Sequence, residues 1–234
     1  RAESPDAPAI FEAYRDQFYV RLAENCVAYS WILTAVMAAS PVCDSSFVEK
    51  GRIGGDLFQG LATVRCSELG YWNFFAPILD YTSAAAYADS IQSYIDSGMI
   101  RYPSELYYPI RLKNFGPYSL EGLKEGISHI ELRMVDLNPL VRSGIDERDV
   151  LFSQLFLVWA AAQAPANLTV KDQVQAVQNF KNAAHYDLKT VKIVMPDGTA
   201  CSVVKAAKRI IDAMEAFFDD FGTSVHECLA FQRL

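Results

Sequence analysis

Residues 129–139 read HIELRMVDLNP. Ile130, Leu132 and Met134 alternate with His129, Glu131 and Arg133, the period-two pattern of a strand with one apolar and one polar face. The polar positions carry an imidazole, a carboxylate and a guanidinium in succession. A lone strand would turn that row to water, with Glu131 and Arg133 as a weak surface pair. Two other segments repeat the pattern in the same parity. In 61–68, Ala62, Val64 and Cys66 are apolar while Thr63, Arg65 and Ser67 are polar. In 105–113, Leu106, Tyr108, Ile110 and Leu112 are apolar, and Glu105, Tyr107, Arg111 and Lys113 take the other side with Pro109. Strands sharing one sheet in this register would gather several cations, a carboxylate and a tyrosine on a single face. Arginine forks suit carboxylates and phosphates. A carboxylate beside them can hold Mg²⁺, which also bridges nucleotide phosphates. The pattern therefore suits a phosphorylated, carboxylate-bearing ligand.

Around these strands the chain reads as helical. Ile10, Phe11, Tyr14, Phe18, Leu22 and Cys26 keep helical spacing, so one long helix is expected from about Pro8 to Ala39, buried in its apolar second half and stopped by Ser40-Pro41. Residues 1–8, RAESPDAP, read as a disordered lead. The stretch CDSSFVEKGRIGGDLF (43–58) reads as loop. Thr82 or Ser83 caps a helix that Gly98 ends, and YSLEGLKEG is a short helix. Asp146 caps the apolar helix ERDVLFSQLFLVWAAAQ. Thr169 with Asp172 forms a capping box for the next. VKIVMPDGTAC is a hairpin turning at Pro196-Asp197-Gly198. Ser202 starts a further helix, and one more is expected to close the chain. The class is α+β, with strands mid-chain and helices before and after.

Bulk properties exclude several functions. The 234 residues are 51% hydrophobic and 21% charged, an ordinary globular balance. A net charge of −7 argues against a nucleic-acid surface. The five cysteines form no CxxC pair, and scattered cysteines fit a reducing cytoplasm and core packing. Three histidines without H-x₃-H spacing make no zinc enzyme. His129 is expected to play a structural or supporting role beside Glu131. Asp136 and Asn138 are expected to shape the turn and cap the next helix. No apolar run is long enough to span a bilayer.

At these residues the sequence resembles the glutamate–cysteine ligase (gamma-glutamylcysteine synthetase) family. The matching blocks are ASPVCDSSF (39–47), ATVRCSELGYWN (62–73), SELYYPIRLK (104–113) and HIELRMVDLNPLVRSGIDERDV (129–150). The last is the most specific, with its Glu-x-Arg strand, Asp-x-Asn-Pro and Gly-Ile-Asp helix start. The resemblance implies part of a glutamine-synthetase-like fold, a curved and mainly antiparallel sheet with one polar face and flanking helices. It implies that MgATP phosphorylates the glutamate side-chain carboxylate and that cysteine's amine attacks the acyl phosphate. The implied small-molecule partners are L-glutamate, L-cysteine and ATP, with Mg²⁺ as cofactor. By the same resemblance Glu131 is a metal ligand, Arg133 meets the transferred phosphoryl group, and Arg65 clamps an amino-acid carboxylate. Tyr71 and Tyr107 would line the cysteine site. Arg111 and Lys113 continue the polar face as phosphate ligands or as the solvated strand end.

Family members are much longer, so residues 9–234 read as the C-terminal portion of a ligase catalytic domain. The chain begins with Arg1 rather than Met, and alone it is expected to be inactive. Two alternatives stand beside the ligase: a truncated non-catalytic relative that binds amino acid or nucleotide, and a helical interaction domain. The latter leaves the aligned Arg, Tyr and Glu residues unexplained.

Overall fold

The computed structural model describes residues 7–42, 60–70, 72–220 and 222–231. The predicted loop 43–58 and most of the lead, residues 1–6, lie outside them. The central scaffold is α1 (Ala7–Tyr29), whose second half is buried at Val20, Leu22, Ala23, Cys26, Val27 and Ala28. The expected single helix is two. After a turn at Ser30, α2 (Trp31–Met37) follows, and it ends when Ala38 goes extended at ψ 120°. Ser40-Pro41 thus lies just beyond a stop already made.

Capping chemistry sets the next boundaries. The Ser83 side chain accepts from Ala86 N to start α3 (Ala84–Asp96), and Gly98 takes φ +75° past its end. Ser119 caps α4 (Leu120–Glu125). Asp146 caps α5 (Glu147–Ala162), and the full Thr169/Asp172 box opens α6 (Val170–Ala183). The hairpin β3 (Lys192–Val194) and β4 (Ala200–Ser202) leads through the Ser202 cap into α7 (Val203–Phe217), followed by α8 (Thr223–Phe231).

Helix α1 packs against α5, α6 and the hairpin of β1 (Ile110–Asn114) and β2 (Ile127–Leu132). Polar ties fix its depth. Asn25 donates to the carbonyl of Ala160 and accepts from Ala166 N at 2.9 Å each, and Glu24 accepts from Leu168 N at 2.7 Å. Asp16 takes the first amide of β2, Ile127 N, at 2.9 Å. Trp31, Trp159, Phe152 and Phe156 fill the core.

The expected sheet is corrected in three ways. Among the described residues the strands form two separate two-stranded antiparallel ladders, β1–β2 and β3–β4, not one curved sheet. Residues 61–68 are not a strand. Leu61 and Thr63 make single bridges to His185 and Ser40, and a turn follows from Val64. Thr63 and Ser67 are fully buried, because their hydroxyls are satisfied locally by Cys66 N and the Val64 carbonyl. Finally, residues 103–105 form a short 3-10 turn, so only the end of segment 105–113 is strand. The register pairs Arg111 with Glu131 and Lys113 with His129, and Arg133 extends the ladder by donating to the Pro109 carbonyl at 2.9 Å.

Candidate active site

The segments that enter β1 (107–109) and leave β2 (133–134), the turn after Thr63, Trp72 and the end of α6 line a cavity of about 180 Å³. Arg65, Tyr107 and Arg133 line it, with Trp72 and Phe180 as its aromatic wall and Cys66 and Met134 beneath. Arg65 is exposed at the tip of its turn and donates through Nη2 to the Arg133 carbonyl at 3.0 Å. Gly70 closes that turn. A Cβ there would run into the carbonyl oxygens of Val64 and Arg65, so no other residue fits without moving the Arg65 backbone.

Arg133 donates to the Leu106 carbonyl at 3.1 Å, and its guanidinium carbon lies 5.9 Å from the Tyr107 ring centre. Burial and the nearby Arg111 guanidinium lower its pKa from the usual arginine range, against the opposing pull of Glu131. The segment carrying Tyr107 is held by Asn73, which accepts from Tyr107 N and donates to the Glu105 carbonyl at 2.8 Å each.

Glu131 stands next to the cavity, 3.7 Å from Arg133 Nε and 2.9 Å from Lys113 Nζ. Partial burial would raise its carboxyl, but Lys113, Arg111 and Arg133 outweigh burial and hold it below the usual glutamate value. Arg111 is 6% exposed, not on a water-facing surface. Its Nη2 donates to the carbonyls of Ser104 and Leu106 at 3.1 and 3.0 Å, with the guanidinium 5.4 Å from the Tyr118 ring centre. Lys113 Nζ lies 4.5 Å from the same ring. Tyr118 is thus a platform for both cations, and nothing in its local sequence announces it.

Arg65, Tyr107 and Arg133 are therefore brought together, with Glu131 and Arg111 beside Arg133 and Lys113 beyond Glu131. Tyr71 lies outside the described residues. His129 faces solvent, its Nδ1 2.7 Å from Ser128 Oγ. Cys66 is a buried thiol donating to the Met134 carbonyl at 3.2 Å, and burial above all pushes its pKa up to about 11. Buried and donating to a main-chain carbonyl, it packs as a core thiol. Phe180 was missed by sequence reasoning, since it reaches the cavity from α6, far along the chain. Its ring meets Trp72 edge-on at 5.1 Å between centroids.

Magnesium is a poorer fit. Among the described residues no three His, Cys, Asp or Glu side chains are grouped to hold a metal ion, and Glu131 is already paired with Lys113. These residues do not by themselves make a magnesium site.

Comparison with known proteins gives the class and then the family. The fold is that of about half of a solved glutamate–cysteine ligase. The enzyme of Francisella tularensis, solved in complex with AMP, superposes with a TM-score of 0.81 at 19% identity, over 97% of this chain and 52% of that one. A bifunctional glutathione synthetase from Pasteurella multocida gives 0.74 at 20% identity, over 98% and 30% of the two chains. In sequence, residues 74–183 match the glutamate–cysteine ligase family model. The bifunctional glutathione biosynthesis protein GshAB of Listeria welshimeri is 32% identical over 211 residues, 87% of this chain and 27% of that protein. Its counterpart in Clostridium perfringens is 28% identical over 214 residues, 88% and 28%. The chain belongs to the glutamate–cysteine ligase family. It spans about a quarter of the length of these curated relatives.

Proposed function

We propose that this chain supplies part of the active site for ATP-dependent ligation of the glutamate γ-carboxylate to the amine of cysteine. The observation that carries the reading is the convergence of Arg65, Arg133 and Tyr107 on one cavity, beside the Glu131 carboxylate. A γ-carboxylate oxygen attacks the terminal phosphorus of ATP, giving the acyl phosphate and ADP. The cysteine nitrogen then attacks the acyl carbon, phosphate leaves, and the nitrogen loses a proton. Such chemistry needs positioning and charge neutralisation more than covalent help from the protein.

Arg65, exposed at the tip of a rigid turn, takes the amino-acid carboxylate in a forked contact. Arg133 neutralises charge on the transferring phosphoryl group. Tyr107 lines the cysteine side, and Tyr71, outside the described residues, is proposed for the same role on the resemblance alone. The Francisella ligase, solved in complex with AMP, supports the use of a nucleotide by this fold. Glu131 is the proposed magnesium ligand, and it would need further carboxylates beyond the described residues. Phosphate contacts from Lys113 are compatible with its place beside Glu131. Arg111, whose Nη2 is engaged by two carbonyls, is less suited.

A second reading, an amino-acid- or nucleotide-binding relative without turnover, rests on the pairing of the Glu131 carboxylate with Lys113. Phosphate release that depends on ATP, L-glutamate and L-cysteine, measured on the full-length gene product, separates the two. Turnover supports the ligase, and its absence with retained amino-acid binding supports the relative. Arg65→Lys should raise the KM of an amino acid by about tenfold, the loss of one forked contact, with little change for ATP. The reverse pattern would refute the clamp.

A further inference from the structure

Asp136 is 6% exposed and collects more donors than a turn requires. Its own turn supplies Leu137 N, 2.9 Å from Oδ1. The other donors come from a segment nearly a hundred residues earlier. Ala39 N and Ser40 N each lie 2.9 Å from Oδ2, and Ser40 Oγ is 2.6 and 2.7 Å from the two oxygens. The connection continues through Ser40. Its carbonyl accepts from Val64 N at 2.9 Å, and its hydroxyl lies 3.4 Å from Thr63 Oγ1. Val64 immediately precedes Arg65. The turn then closes back on the strand end through Cys66 Sγ to the Met134 carbonyl and Arg65 Nη2 to the Arg133 carbonyl.

We propose that Asp136 is a positioning residue: through Ser40 it fastens the turn that carries Arg65 to the strand end that carries Arg133, and so sets the spacing of the two arginines across the cavity. A carboxylate suits the task because both oxygens accept and neither donates. An asparagine would turn an N–H toward donors that already point inward. The inference rests on the cavity being the working site, but its first readout, thiol labelling, does not use substrate.

Cys66 is the reporter. Its thiol is 3% exposed and is alkylated only when the turn lifts from the strand, whereas Cys26, at 0%, opens only with the α1 core. Alkylation by iodoacetamide under native conditions, read at each cysteine by peptide mass spectrometry, separates local release from global loosening. Asp136→Asn should speed labelling of Cys66 by at least about tenfold, as expected for losing hydrogen bonds to a charged acceptor, with Cys26 nearly unchanged. That variant also removes a negative charge near the thiol. Ser40→Ala keeps the charge, deletes only the hydroxyl, and should still speed Cys66 by about threefold or more. It also decides the matter if Asp136→Asn does not fold. Unchanged Cys66 labelling in Ser40→Ala, or Cys66 and Cys26 rising together, would overturn the proposal. Faster Cys66 labelling with unaltered amino-acid binding would support the fastening and count against the cavity as the working site.

Discussion

Replacing Arg111 by methionine decides between its two sequence-level readings, phosphate ligand and strand-end residue. The structure gives Arg111 a third role, inside the core. Its Nη2 donates to two carbonyls at 3.1 and 3.0 Å, and its guanidinium lies 5.4 Å from the Tyr118 ring centre. Hydrogen bonds from a charged donor are worth about 1.5–3 kcal/mol each, and a partly desolvated cation–π contact about 1 kcal/mol. The full sum is not lost. Leu106 keeps its bond from Arg133, Ser104 is exposed enough for water to replace its partner, and removing Arg111 relieves repulsion with Arg133. A net loss of about 3 kcal/mol follows, by discounting those contributions for the compensation. In a protein of this size that lowers Tm by about 6–12 °C. Urea unfolding followed by circular dichroism measures it directly. A loss below about 0.5 kcal/mol, the range of an ordinary surface substitution, together with weakened ATP binding would refute the core role and restore the phosphate-ligand reading.

Two further outcomes are expected. Gly70→Ala, whose Cβ would strike the Val64 and Arg65 carbonyls, should displace the Arg65 turn and weaken amino-acid binding by at least about tenfold; wild-type affinity in a calorimetric titration would show that the turn is not rigid. The Glu131 carboxyl titrates below its unfolded value near 4.5. Its contribution to stability is therefore present above that value and lost as pH falls through the lower folded-state value. Glu131→Gln should flatten the acid limb of a Tm–pH curve below about pH 4.5, and an unchanged limb would mean that Lys113 and Arg133 do not hold the charged form.

The helix starts were legible because capping is local chemistry: Ser83, Asp146, Thr169 with Asp172, and Ser202 each lie beside the amides they satisfy. The hairpin at Pro196-Asp197-Gly198 was legible for the same reason, with Gly198 at φ +78°. The stretch 61–68 misled because alternation assumes that polar side chains face water. Thr63 and Ser67 are buried, their hydroxyls occupied within the turn, so parity there reported local hydrogen bonding and not a sheet face. Arg65, Tyr107 and Arg133 do meet, but through a turn, an irregular extended segment and a strand end, not through three paired strands. The resemblance identified these residues, and parity agreed with it for a partly mistaken reason. Phe180, Tyr118 and the reach of Asp136 to Ser40 had no local signal, because each depends on packing between segments far apart in the chain.

The central claim is that the cavity between Arg65 and Arg133 takes an amino acid by its carboxylate. Saturation-transfer NMR with L-glutamate and L-cysteine, run on the wild-type protein beside Arg65→Ala, tests it most directly. The account predicts transfer to at least one of the two amino acids in the wild type and its loss in Arg65→Ala, with the circular dichroism spectrum unchanged. Equal transfer in both proteins, or none from the wild type to either amino acid, would contradict it.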